Sequence, residues 1–528
     1  MRSRRITAVL LFLAAPALFA DAPGVYAITG GTVHPVSGPP IPNGVVVIRA
    51  GLIEAVGANA SIPADATVIE AKGAHVYPGL IDAQTSMGFT SPKKADAASE
   101  PAPDTIAMRS VQLSDDEVDA RRATGVTTIV TAPTHGIFNG QSVVLNLGGG
   151  PIEARVIKSP AALQIGFNPR PTWTFPDSLM GVIAHLRQTF LDAQQHVTAR
   201  EVYERSPAGL QRPQENPQLE ALRPVLRREL PVVFIADSEP MMRRAQALAR
   251  EFNLRIILSG ARQAHEIAPA LDDVPVLVSV KWPVAPADKE DREDQPLRVI
   301  RERQLAPTTP AALAKNGATF ALVSGAGRSA DFVPGIRKAI ENGLSADDAL
   351  RAATLTPARI FGVDRQLGSL ERGKIANVVV TDKPFFDKES KVTRVFVDGR
   401  EVRLPVEEKK ADAATPGAAA TTATAPASAI DGTWNLTVRA PQGNVSFTFT
   451  LRAESGRLTG TFSGDRGAGD IRTGTFDGSA FDFAISANAQ NEAEASDWVF
   501  RGTLAGDTMT GTVATTIGNF EFSGSRSK

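Results

Sequence analysis

Pro78-Gly-Leu-Ile-Asp-Ala-Gln-Thr-Ser86 ends an apolar stretch and runs into polar side chains. Outward from it, between His75 and about Phe361, short apolar strands alternate with amphipathic helices. Val126–Val130, Pro231–Ile235, Leu254–Leu258, Val274–Val278 and Phe320–Val323 read as buried strands. Leu179, Val182, Ile183, Leu186 and Phe190 recur at helical spacing, and Arg243–Phe252 forms another helix. Ser345, with Asp348 three residues on, starts a further helix running to Ile360. Such alternation implies a parallel sheet, and the length of 75–361 suits an α/β (β/α)8 TIM-type barrel. A doubly wound sheet is the fold alternative. No Gly-rich phosphate loop opens a helix, which argues against nucleotide binding.

The segments flanking the barrel are β-rich. Residues 21–74 and 362–404 carry short strands between Gly turns, such as Gly44–Arg49, Asn377–Thr381 and Val392–Gly399. They are expected to form one composite β-sandwich layer. Residues 405–429 are charged and then rich in Ala, Thr and Pro, so they read as a linker. Residues 430–528 read as a separate all-β domain of about eight strands, a barrel or a sandwich. Val445, Phe447, Phe449 and Leu451 show its half-buried alternation.

Of 528 residues, 43% are hydrophobic and 21% charged, and 56 basic residues balance 57 acidic ones. A net charge of -1 gives no field to draw nucleic acid or an anionic membrane. The absence of cysteine removes disulfides, thiolate nucleophiles and Cys-ligated metals. Arg2, Arg4 and Arg5 precede an apolar run from Ile6 to Phe19, with Ala20 before Asp21. Residues 1–20 therefore read as a signal peptide cleaved after Ala20, and the mature chain as periplasmic or secreted. No later stretch is long enough for a membrane helix.

Pro78–Asp82 resembles the first barrel strand of the amidohydrolase superfamily, which continues Asp-x-His-x-His. The far end is similar too: Ala353-Thr-Leu-Thr-Pro-Ala358, Gly362-Val363 and Gly368–Lys374 look like the family's closing helix and return to the β layer. Gly125–Val130, Gly140–Leu147 and Phe175–Gly181 are similar to the imidazolonepropionase-related branch. The resemblance covers roughly residues 24–404. It implies hydrolysis of carbon–nitrogen bonds other than peptide bonds, with Zn²⁺ or another divalent metal.

On that resemblance the paired histidines fall on Gln84 and Ser86. The later ligand positions fall on Ile235 and Ser259, and the aspartate of the last strand on Gly325. Amide, hydroxyl, hydrocarbon and hydrogen are poor or absent donors to Zn²⁺. No metal cofactor is therefore expected, and the reading is a degenerate barrel with a retained ligand pocket or a scaffold role. The six histidines show no metal spacing.

Polar residues at strand ends supply the remaining candidates. Gln84, Ser86, Asn139, Gln141, Ser259, Ser324 and Arg328 are expected to line a pocket. Lys281, Asp237 and His135 are the catalytic candidates. A desolvated lysine at Lys281 could serve as base or Schiff-base nucleophile, although a lysine paired with an acid is the commoner case. The alternatives are an active hydrolase of a small amide, cyclic amide or peptide built on those three residues, or a carbohydrate- or surface-binding protein. The expected partner is a small molecule; self-association and pairing with an active relative stay open. Trp434 and Trp498 are the tryptophans available to a C-terminal binding face.

Overall fold

The computed structural model describes residues 24–89, 102–170, 174–271, 273–286, 295–325 and 331–404, and then 429–440, 443–454, 457–464, 467–471, 473–488, 495–515 and 518–527. The chain divides into two compact units, Met1–Glu407 and Glu408–Lys528. The expected leader, and the linker up to residue 428, lie outside the described residues.

The first unit opens with β1 (Tyr26–Val33), β2 (Ile41–Arg49), β3 (Leu52–Gly57), β4 (Thr67–Glu70) and β5 (His75–Pro78). The barrel strands follow: β6 (Leu80–Thr85), β7 (Val126–Thr131), β8 (Phe138–Gln141), β9 (Val143–Asn146), β10 (Val156–Lys158) and β11 (Leu163–Gly166). Then come β12 (Val232–Ala236), β13 (Ile256–Gly260), β14 (Val276–Ser279) and β15 (Phe320–Val323). Around them lie helices α1 (Asp115–Ala123), α2 (Leu179–Arg205), α3 (Glu239–Phe252), α4 (Leu297–Leu305), α5 (Phe332–Glu341) and α6 (Ala346–Ala352). The chain then adds β16 (Val378–Thr381), β17 (Val392–Val397) and β18 (Arg400–Val402).

Both ends of this unit build one eight-stranded sheet, ordered β18-β17-β16-β5-β1-β2-β3, with β4 on β1. Strand β5 pairs antiparallel with β16, Val76 opposite Val380. The β layer therefore extends to Pro78, taking in the four residues of β5 beyond its expected end at residue 74. Gly79 N donates to Asn377 O at 2.9 Å, and the barrel starts there.

In the barrel, β6 and β7 are parallel, as are β11 to β15. A bridge from Thr85 to Gly325 closes the ring. The third position departs from regular alternation. There β8 and β9 form one broken strand, antiparallel to β11 on one side and β7 on the other. Residues 132–137 alone join β7 to β8. A parallel return needs a crossover of a dozen residues or more, so a connection this short can only reverse the chain.

Side-chain alternation sorts the barrel into two cores. Val232, Phe234, Ile256, Leu258, Val276 and Val278 pack outward on helix residues such as Phe190, Met242 and Ile336. Ala83, Val130, Val144, Val233, Ile257, Leu277 and Ala321 meet on the axis. This is the buried-on-both-faces pattern of parallel strands.

The helix expected over Ser345–Ile360 is broken. Ser345 caps α6, its Oγ accepting Asp348 N at 3.0 Å. Pro357 then lacks the N–H that Ala353 O would accept, and that carbonyl instead accepts Ile81 N of β6 at 2.8 Å. The break ties the closing helix to the first barrel strand.

The second unit is a closed up-and-down barrel. Its strands β19 (Gly432–Ala440), β20 (Gly443–Glu454), β21 (Arg457–Gly464), β22 (Gly467–Asp470), β23 (Thr473–Phe476), β24 (Ala480–Asn488), β25 (Ala495–Ala505), β26 (Thr508–Thr515) and β27 (Gly518–Arg526) pair with their sequence neighbours. Strands β22 and β23 together fill one position beside β21, and β27 returns to β19. Trp434, Phe447, Phe449, Phe483 and Phe500 fill the interior. Trp434 and Trp498 are buried, at 0% and 3% exposure, so neither offers the stacking face a carbohydrate module would need.

Candidate functional site

Strand β6 carries a bulge. Asp82 pairs with Ile129 and Thr85 with Thr131, so three steps along β6 match two along β7. Asp82 and Thr85 both reach Arg121 of α1, at 2.8 and 3.5 Å, on the outer face. The slip leaves Gln84 on the inner face. Gln84 is 6% exposed, and its Oε1 has no hydrogen-bond partner.

Other inward positions follow from their flanks. Phe234 and Ala236 pack on the helices, so Ile235 between them faces the axis. Ser259 follows outward-packed Leu258, and Ser279 lies between outward Val278 and Val280. Ile235 and Ser259 are register partners on adjacent strands, with Gly166 opposite Ile235. The positions the resemblance pairs with metal ligands thus gather at one end of the axis. Gly325 sits at φ +59, where a Cβ would stand 3.2 Å from Ser279 Oγ.

One axial residue escaped the sequence reading. Gln164, between outward Leu163 and Ile165, is fully buried, and neither Oε1 nor Nε2 has a partner. The signal was available: it is the polar residue inside an otherwise apolar strand, Leu163-Gln-Ile-Gly166. A buried polar group left unpaired costs about 1–3 kcal/mol, so the Gln164 carboxamide calls for a partner.

Asp82 is equally buried but fully engaged. Arg121 Nη1 donates to Oδ2 at 2.8 Å, Ser324 N donates to Oδ1 at 3.0 Å, and Ser324 Oγ donates to Oδ2. Arg121 Nη2 also donates to Ser324 Oγ at 3.2 Å. This cluster joins the first strand, the last strand and α1. Ser324, expected to line the pocket, is instead part of that clasp.

The other expected site residues separate. Gln141 Nε2 donates to Pro103 O at 2.9 Å, which ties it to a loop. The Asn139 carboxamide lies 3.0 Å from the carbonyl oxygens of His135 and Gly136 and holds the turn before β8. Ser86 and His135 are half-buried. Asp237 is exposed and accepts from Arg262 Nη2 at 3.1 Å. Lys281 is exposed on a cavity of about 920 Å³ shared with Arg303 and Lys338, on the helix side of β14. Trp282 follows the same direction, its Nε1 donating to Gly335 O of α5 at 2.8 Å. The three catalytic candidates therefore occupy different surroundings. Arg328 lies outside the described residues.

Zn²⁺ or a similar ion needs about three imidazole or carboxylate ligands. Among the described residues no three His, Asp or Glu side chains gather in that way. Ile235, Ser259 and Gly325 offer no suitable donor, and Asp82 is committed to Arg121. Among the described residues, these axial side chains supply no donor set that fits a divalent metal.

Residues 298–402 match the amidohydrolase family. The structure is similar to an amidohydrolase from Thermotoga maritima MSB8, at 25% identity over 72% of this chain and 100% of that one, with a TM-score of 0.63. It also aligns with a prolidase solved with N-methylphosphonate-L-proline (19% identity, 72% and 100% coverage, TM-score 0.48). A third match is molinate hydrolase (17%, 76% and 99%, TM-score 0.46).

Proposed function

We propose that this chain is an exported amidohydrolase-fold protein whose barrel binds a small neutral molecule without metal-assisted hydrolysis. The observation that carries the reading is the pair of carboxamides turned into the barrel, Gln84 and Gln164, with three unpartnered atoms between them. Two are acceptors and one is a donor. Their complement is two N–H groups and one carbonyl, the inventory of a primary amide or a ureide.

Metal analysis tests the reading. Full-length protein purified without chelator is expected to hold well under about one equivalent of zinc, manganese or iron. A tightly held stoichiometric metal would overturn it.

The family match over residues 298–402 supports a second reading, a working hydrolase of a small amide. With no metal site it would draw on Lys281, Asp237 or His135. Lys281→Ala with unchanged turnover of any amide found to be cleaved would remove the lysine version.

A further inference from the structure

At the opposite end of the barrel, where β12, β13 and β14 begin, a cavity of about 460 Å³ opens among Arg228, Arg250, Arg255, Asn253 and Asp273. Two of its guanidinium groups are fixed by neutral partners. Arg228 Nη1 donates to Asn253 Oδ1 at 2.9 Å and to Asn253 O at 3.3 Å. Arg255 Nη2 donates to Glu229 O at 3.2 Å. Among the described residues none of the three arginines is ion-paired with a carboxylate.

Their neighbours behave differently. Arg187 pairs with Glu251, Arg227 with Glu201, Arg223 with Glu220 and Arg243 with Glu239. Among the described residues, arginines without a carboxylate partner occur elsewhere too, as at Arg244 on the same helix, whose Nη1 meets Met241 Sδ at 3.5 Å; what sets this place apart is that three of them line one cavity. Lys158 stands outside the lining, its Nζ donating to Phe361 O at 2.7 Å. Asp273 is the one acid among the lining residues. The C-terminal end of α3 would attract one nearby cation, such as Arg250, but does not account for three arginines.

We infer that this cavity is a binding site for a phosphate dianion, free or as a phosphate monoester. Guanidinium groups held by backbone and amide oxygens keep further N–H donors in a fixed fork, which matches phosphate oxygens in pairs. Preorganisation by carbonyls, with no carboxylate to displace, makes the cavity selective for a multiply charged oxyanion over chloride.

The test is calorimetric titration of full-length protein with inorganic phosphate, at constant ionic strength set by chloride. Saturable binding is expected, weakened tenfold or more in the double variant Arg250→Gln/Arg255→Gln. Arg243→Gln, which breaks a surface pair on the same helix, should bind like wild type. Asp273→Asn removes the opposing charge and should tighten binding several-fold. Glycerol phosphate in a second arm separates the sources: tighter binding than phosphate points to an organic monoester, equal binding to the free ion. No phosphate binding beyond chloride, or equal affinity in the double variant when its thermal melt is unchanged, would overturn the inference.

Discussion

At the scale of single residues, polar groups hold this barrel together at two places and are left idle at a third. Asp82 and Arg121 form a buried ion pair, 0% and 5% exposed at the side chain, and Ser324 fills the remaining valences. Removing one partner of such a pair strands the other charge, which gives Asp82 a structural role whatever the barrel does chemically. Asn377 is the second place. Its Nδ2 donates to Asn146 Oδ1 at 3.0 Å and Thr128 Oγ1 at 3.2 Å, while its Oδ1 accepts Asp398 N at 2.9 Å. A carboxylate there could not donate, and it would face Asp398, whose own carboxyl burial already pushes up. The amide is required by the network. Gln164 is the idle group. Gln164→Leu is expected to raise stability by about 1–3 kcal/mol, because it removes two unpaired buried atoms. Urea unfolding measures it. A lower midpoint in the variant would mean that buried water already satisfies the amide, which would take away the argument for a ligand.

At the scale of elements, the alternation of strand faces was legible because burial on both sides leaves an apolar run for each strand. Direction was not legible. The pattern of β8 and β9 is the same whichever way the strand runs, and only the length of residues 132–137 reveals the reversal. The bulge in β6 was hidden for a similar reason: Gln84 turns inward because of how β6 meets β7 and α1, not because of its neighbours in sequence. Motif spacing marked the end of β6 as a site, but could not show that Ser324 and Gln141 were bonded elsewhere. Strand pairing also brought together two histidines that lie far apart in sequence. His34, just after β1, and His75 on β5 place Nε2 and Nδ1 3.0 Å apart, with Tyr77 stacked on His34. Burial, and then the charge of His75, lowers His34 to about 4, against a small opposing pull from Asp347. Burial lowers His75 as well. Depressed folded-state values mean that the unfolded chain takes up protons first as pH falls. The pair's contribution is therefore complete above pH 6.5 and lost progressively toward about 4. His34→Gln should flatten the pH dependence of the unfolding midpoint in that window. The difference from wild type is the measurement. Identical slopes would show that the two rings are decoupled.

At the scale of the whole chain, the two units have separate cores and separate reasons to fold. The C-terminal barrel closes on itself, β27 pairing with β19, so no open edge requires another part of the chain. Its interior is supplied by its own aromatic residues, and Trp434 is pinned from within by Ile430 O at 2.8 Å and by Arg526 over its ring at 4.3 Å. Pairing is between sequence neighbours except where β23 meets β21 past β22 and where β27 closes onto β19, so most loop closures are short and only one is long. Residues 429–528 expressed alone should therefore fold, with a β-type circular dichroism spectrum and one cooperative thermal transition. Trp434 and Trp498 are the tryptophans of this segment and both are buried, so its fluorescence should be blue-shifted when folded and should move red at the same temperature as the loss of β signal. Coincident transitions would establish a self-sufficient domain carried behind the barrel. Two separated transitions, or a fragment without cooperative melting, would mean that the closed barrel depends on the first unit for its stability.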